Sequence, residues 1–306
     1  MLGPAEIQIQ LNVHDYISLV AFTLLYYDFC LTIPREVSRY WGTRLTWPTF
    51  LFYLNRYASI SGTAPVIVEY FLDLAQSKSA VTYHQVAAII AQIVVGAMLV
   101  TRTYALYGQS PMVLVFMLLV ASGALGFGAW SLVYTKQLPT SPQNIYPLIG
   151  CGTNLSMHVA YRLGHAWMGM LVFDCMIFIL TARKACQNRQ TSGERRGGLV
   201  PTLLRDGALY FFLMGMANSG NIISFMFAGP YLRGVGTTVT NVLSSILITR
   251  LMLNLRDPKL IAAAESTVFP DMDITTFEPY YGTGVSAVDN SEPDNGWIRH
   301  SNEGPL

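Results

Sequence analysis

Three ionisable residues stand inside runs of apolar sequence: Asp28 in LLYYDFCL, Arg56 in FLFYLNRYAS and Asp174 in LVFDCMIF. A charge at the centre of a bilayer costs at least ~2.5–3.5 kcal/mol unless it is paired or snorkels to the surface. Each of the three is therefore a candidate ligand- or ion-binding group. Asp28 lies about five residues above the inner end of its run and Arg56 about eight residues into the next. At about 1.5 Å per residue the two depths are roughly 8 and 12 Å, within reach of a long Arg side chain. The spacing predicts an Asp28–Arg56 ion pair that staples the first hairpin. An ion or proton site, or a switch broken on activation, is the functional alternative. Asp174 has no partner visible in the sequence, so a protonated carboxyl bonded within the bundle and a contact to substrate or ion both stand open.

Two later runs carry polar stripes. Asn218, Asn221 and Ser224 recur at i, i+3, i+6, and Thr237, Asn241, Ser244 and Ser245 nearly repeat that spacing. On a helix such residues share one face. Their amides and hydroxyls can bond neighbouring helices or line a ligand path, which adds Asn218, Asn221 and Asn241 to the candidate ligand or ion-binding groups. The fourth run offers Ser122, Gly123, Ala124, Gly126 and Gly128, small residues that let backbones approach closely.

Metal and cofactor chemistry finds less to use. His14, His84, His158 and His165 fall near the outer ends of their runs, with Asp15, Glu69 and Asp73 on the same side. Carboxylates beside histidines could hold zinc, yet no HxxxH or HExxH spacing occurs. The four cysteines (Cys30, Cys151, Cys175 and Cys186) have no CxxC spacing, so neither a metal knuckle nor a disulfide scaffold is expected. Walker, Rossmann and kinase glycine patterns are absent as well. The expectation is no metal, no cofactor and no enzyme.

The elements that must position these groups follow from composition. Of 306 residues, 52% are hydrophobic and only 12% charged, and mean hydropathy is +0.38. Soluble domains carry about 25% charged residues. Apolar runs of about 20 residues then place the chain among polytopic helical membrane proteins. Seven spans are expected at roughly 16–33, 48–72, 86–107, 112–134, 161–182, 207–228 and 235–255. Each must be helical, because lipid offers no partner to a free backbone amide, and Pro65 should kink the second. The first span, which lacks a basic leader, is expected to be retained rather than cleaved as a signal.

Thirteen Lys and Arg residues fall on one side of these spans and four on the other. The positive-inside rule then puts the N-terminus outside and the C-terminus in the cytosol. The one N-x-S/T sequon, Asn154-Leu155-Ser156, falls on the outer side as a glycosylation candidate. Arg35, Glu36 and Arg39, in the first inner turn, and Arg102, at the inner end of the third span, are candidate contacts for a cytosolic transducer or scaffold protein. Cys186, just past the fifth span on that side, is a palmitoylation candidate. After 255 the chain turns acidic and loses apolar periodicity, and it reads as a disordered tail. The expected organisation is an outer N-terminus at 1–15, a seven-transmembrane all-α bundle at 16–255 with its first hairpin at 16–72, and a cytosolic tail at 256–306. The expected partner is the lipid bilayer of a plasma or internal membrane. Nothing in the charge distribution points to nucleic acid.

Three segments carry a resemblance. Tyr27-Asp28, Thr32, Arg35-Glu36, Trp41, Leu51-Phe52 and Leu54-Asn55-Arg56-Tyr57 form the first; Arg102-Thr103-Tyr104-Ala105-Leu106-Tyr107-Gly108 and Arg250-Leu251-Met252-Leu253-Asn254-Leu255-Arg256 form the others. Together they resemble a fungal, mainly basidiomycete, family of multi-pass membrane proteins with an N-terminal domain of unknown function, number 6533. Pro34 stands where that pattern would place an acidic or other polar residue. The resemblance implies a topology and brings no activity with it.

A receptor-like or sensory protein coupling an outer signal to a cytosolic partner is the first functional expectation. It lacks two rhodopsin-type features: no NPxxY-like turn closes the seventh span, and Cys151 has no partner at the outer end of the third. A retinal protein is excluded, because residues 235–255 contain no Lys for a Schiff base. A transporter, channel or membrane-organising protein using Asp28, Arg56 and Asp174 comes second, without the inverted repeats many transporters show. An intramembrane zinc hydrolase comes last.

Overall fold

The computed structural model describes residues 3–72, 78–136, 156–191 and 199–258, and Asn154 and the acidic tail lie outside them. Seven helices follow in order: α1 (Pro4–Arg39), α2 (Trp47–Leu72), α3 (Lys78–Leu106), α4 (Pro111–Lys136), α5 (Met157–Thr191), α6 (Leu199–Phe227) and α7 (Val235–Leu255). Among the described residues there is no strand. Six of the helices are long and apolar enough to cross a membrane, which makes this a multi-pass membrane protein. The exception is α2, whose Asn55 and Arg56 are buried among other helices while Phe50, Leu54 and Val68 are exposed. A helix face turned to other helices can carry polar groups that a lipid-facing one cannot, and those groups lower the mean hydropathy without loss of fit.

Among the described residues the interior holds many polar groups beside its apolar core, and large apolar side chains are exposed. Ser18, Asp28, Glu36, Asn55, Arg56 and Asn218 are among the buried residues, while Leu19, Val20, Leu24, Val115, Leu119 and Phe212 are exposed. In lipid this costs nothing on the outside, and polar groups gain by meeting one another inside.

The first helix shows how sequence sets this arrangement. Pro4 opens it at a position where its missing N–H is not needed, and the Glu6 carboxylate accepts from the Gly3 amide at 3.2 Å. Its buried residues are Ser18, Ala21, Phe22, Leu25, Asp28, Thr32 and Glu36, spaced by threes and fours as one face requires. The helix runs 36 residues, about 54 Å at 1.5 Å per residue. It extends the expected span at both ends: most of the stretch expected as a separate N-terminus is helical, and Pro34 lies inside the helix rather than ending it.

Helices α1 and α2 meet through the turn at 40–46, and the C-terminus of α7 packs at that same end. Tyr40 stacks on Phe52 there, with ring centroids 3.8 Å apart and planes 13° from parallel. The main apolar core spreads from this stack through Met98, Met117, Ile177, Ile248 and Leu251. The close approach expected along α4 is confined to one place. Ala124 meets Gly169 of α5, where an added Cβ would sit 3.5 Å from the Ala124 Cα, whereas Gly123, Gly126 and Gly128 face open space. A close backbone approach lies elsewhere: a Cβ on Gly236 would come within 2.7 Å of the Asn221 Cα, so α7 lies this near α6 there because Gly236 has no side chain.

Candidate functional site: the charged clamp and polar stripe of α7

The Asp28–Arg56 bridge does not form. Asp28 pairs with Arg250 of α7, Nε to Oδ1 at 2.5 Å, and Arg56 pairs with Glu36, Nε to Oε2 at 2.5 Å. Helix length explains the difference. Since α1 continues through Pro34 to Arg39, Glu36 lies on the buried face two turns beyond Asp28, about 12 Å along the axis. Arg56 reaches towards Glu36, and Asp28 is left facing α7. Arg250, inside the expected seventh span and counted on its inner side, lies within α7, five positions before its last residue Leu255.

Glu36 is the most heavily bonded carboxylate of the two. Besides Arg56, its Oε1 accepts from the Tyr57 hydroxyl at 2.9 Å and from the Trp41 indole N–H at 3.3 Å. Arg56 in turn donates to the Phe29 carbonyl at 3.0 Å and lies 4.5 Å from the Phe29 ring centroid. The side chains of Arg56 and Glu36 are 3% and 2% exposed. Removing one partner of such a pair costs about 3–5 kcal/mol, because the other charge is left buried. Glu36 is thus an internal strut and not a residue of a solvated turn.

A second layer closes the same end. Arg39 bridges Asp257 at 2.8 Å and donates to the Leu253 carbonyl at 2.7 Å. Arg256 donates to the Thr49 hydroxyl at 2.7 Å and lies 4.0 Å over the Tyr40 ring. Tyr40 donates to the Met252 carbonyl at 3.2 Å. Burial pushes its phenol up to about 12, which keeps it a donor at neutral pH. Of the four candidate partner contacts, only Arg35 is exposed; Arg39 is engaged as above, and Arg102 lies half-buried over the Phe211 ring at 5.1 Å.

Farther along α7 the bonds become neutral. Asn55 donates to the Ser245 and Thr249 hydroxyls at 3.2 and 3.0 Å, and the Ser59 and Ser245 hydroxyls lie 2.8 Å apart. Gln92 of α3 donates to the Asn241 carbonyl oxygen at 2.6 Å, and Thr237 to that of Asn221 at 3.2 Å. Thr237, Asn241, Ser245 and Thr249 repeat every four residues, so a single face of α7 bonds α6, α3 and α2 in turn. Asn218 of α6 donates to Asp174 of α5.

Between α1, α2, α3 and α7 lies a crevice of about 70 Å³, lined by Phe22, Leu25, Ser59, Ala91, Thr238 and Asn241 among others. Small side chains, including Ala58, Gly62, Ala87 and Ala88, leave the room. It sits in the half of the bundle away from the 40–46 turn. The amide nitrogen of Asn241 and the hydroxyl of Thr238 are available there to a ligand. Its shape and lining suit a small apolar group bearing one polar end.

Other expected residues take plain positions. Cys186 is exposed near the end of α5, as are Cys30 and Cys175. Among the described residues no three His, Cys, Asp or Glu side chains come together to hold a metal. Sequence reasoning missed Arg250 and Glu36 as ion-pair partners, and the bonds of Asn55 and Ser59 on α2 to Thr249 and Ser245 on α7. The spacing Asp28, Thr32, Glu36 at i, i+4, i+8 was the readable signal for Glu36.

Residues 16–76 match the family of unknown function (DUF6533). The match falls on the N-terminal hairpin, which contains Asp28, Glu36, Asn55 and Arg56 but not the α7 partners of Asp28 and Asn55. No curated protein and no solved structure matches the chain.

Proposed function

We propose that the protein is a non-enzymatic, receptor-like sensory protein of the membrane, with its crevice facing the outer side and its charged clamp facing the cytosol. One observation carries this reading: α7 supplies both the crevice wall, through Thr238, Asn241 and Val242, and the clamp, through Arg250. A ligand that displaces α7 at one end acts on the ion pairs at the other through a rigid helix, the kind of two-site coupling a receptor needs. The thirteen-to-four excess of cations supplies the orientation, with Asn154 as an outer glycosylation site and Cys186 as an inner acylation site. Exposed Arg35 would then meet a cytosolic transducer.

The test needs no known ligand. Nitroxide labels replace exposed Arg35 and Pro258 in protein reconstituted in nanodiscs, with the native cysteines changed to Ser. Filling the crevice with Ala91→Trp should change the label-to-label distance, as should Arg250→Gln. A distance unmoved by Ala91→Trp in a folded protein would rule out coupling through α7. A second reading, a transporter using Asp174, is favoured by the Asp174–Asn218 contact between α5 and α6. Ion flux into liposomes that Asp174→Asn abolishes would establish it.

A further inference from the structure

We infer that Asp174, Asn218 and Asn221 form a site for a hydrated monovalent cation between α5, α6 and α7, separate from the crevice and from the clamp. Asp174 lies midway along α5 and accepts from the Asn218 amide N–H. Among the described residues no Lys, Arg or His pairs with it, whereas Asp28 and Glu36 each have an Arg. A carboxylate at this depth needs a counter-charge.

Two orphaned atoms point to what supplies it. Asn218 is 2% exposed and Asn221 1%, yet the Oδ1 of Asn218 and the Nδ2 of Asn221 have no hydrogen-bond partner. Leaving a buried donor or acceptor unmade costs about 1–3 kcal/mol each, so two on one helix face three residues apart mark a missing occupant. The two atoms ask for different things. Asn218 Oδ1 and the Asp174 carboxylate are hard oxygen ligands, suited to a small alkali cation. Asn221 Nδ2 is a donor, suited to the oxygen of a water that also faces the cation. Asn221 cannot turn away to solvent: Thr237 holds its Oδ1 at 3.2 Å, and α7 presses on its backbone at Gly236. Thr240, donating to the Ala217 carbonyl at 3.0 Å, pins α7 to α6 one residue before Asn218. The donor set is therefore prebuilt on α5 and α6 and braced by α7.

Purified protein in nanodiscs tests this by its melting temperature, titrated with NaCl, LiCl or KCl against choline chloride at constant ionic strength and pH. A saturable rise of a few degrees with at least one alkali cation is expected, since a ligand that binds only the folded state stabilises it. Asp174→Asn, nearly isosteric, should abolish that rise. Asn218→Ser, which keeps a small polar group, should raise the half-saturating concentration about tenfold or more. No alkali-specific rise in the unmodified protein overturns the inference whatever the variants do. So does a rise that persists unchanged in Asn218→Ser, because the cation would then bind elsewhere. Neither result depends on the crevice, so the sensory reading stands or falls separately.

Discussion

Helices α4 and α7 are both 21 or more residues of apolar sequence, and the bundle uses them oppositely. The most apolar stretch of α4 has mean hydropathy 2.3 and is 6% buried; that of α7 has mean hydropathy 1.3 and is 56% buried. In a soluble protein the more apolar helix would be the core. Here hydropathy marks the helix that faces lipid, and polar residues mark the interior, because lipid competes for apolar side chains and not for amides. The same contrast holds for the candidate site: Arg250 of the clamp and one wall of the crevice belong to α7, and none of those groups belongs to α4.

The largest test of the contrast lies where α1 meets α2 under the end of α7. Arg56→Ala should destabilise the protein by about 3–5 kcal/mol, read by thermal or denaturant unfolding in nanodiscs. Arg56→Met with Glu36→Gln should recover much of that, because no charge is then left alone. The Asp28–Arg250 pair should matter less, since the Arg250 side chain is 39% exposed and screened by solvent. There the informative measurement is exchange of charges. Asp28→Arg with Arg250→Asp should fold better than either single variant, whereas Asp28→Arg with Arg56→Asp should not.

Smaller effects come next. Asn55→Leu removes the donor shared by Ser245 and Thr249 and should cost about 1–3 kcal/mol, measured by the same unfolding. Leu119→Ala on α4 should stay within about 0.5 kcal/mol, as surface substitutions do. A loss there as large as at Asn55 would erase the distinction between the two helices. The finest test is of pH. The folded Tyr40 phenol is raised from 10.0 to about 12, so the unfolded chain loses this proton first. The stability it contributes is full below pH 10 and declines as pH rises towards 12, and Tyr40→Phe should flatten that part of the profile.

How much of this was readable before the structure depends on the distance over which the physics acts. Spans follow from hydropathy within some 20 residues, and all seven helices lie where apolar runs placed them. Ends were harder. Pro34 reads as a stop, yet the helix absorbs it and carries Glu36 onto the buried face. Pairing was hardest. The depth count brought Asp28 and Arg56 to similar levels, but depth says nothing about which way a helix is turned, and the true partner of Asp28 is 222 positions away. The stripes on α6 and α7 were legible as faces. Which helices they met was not, because that is set by close approaches such as Gly236 against Asn221.

That distance of 222 positions also sets an order of events. A membrane protein is made from its N-terminus, so α1 with its Asp28 is made while six further helices are still to come. Its counter-charge arrives only with the last of them. Until Arg250 is in place the chain carries in its first segment an acid without its counter-charge. A chain interrupted before residue 250 never gains that counter-charge. The ion pair thus ties the first helix to the last and forms only once α7 is present.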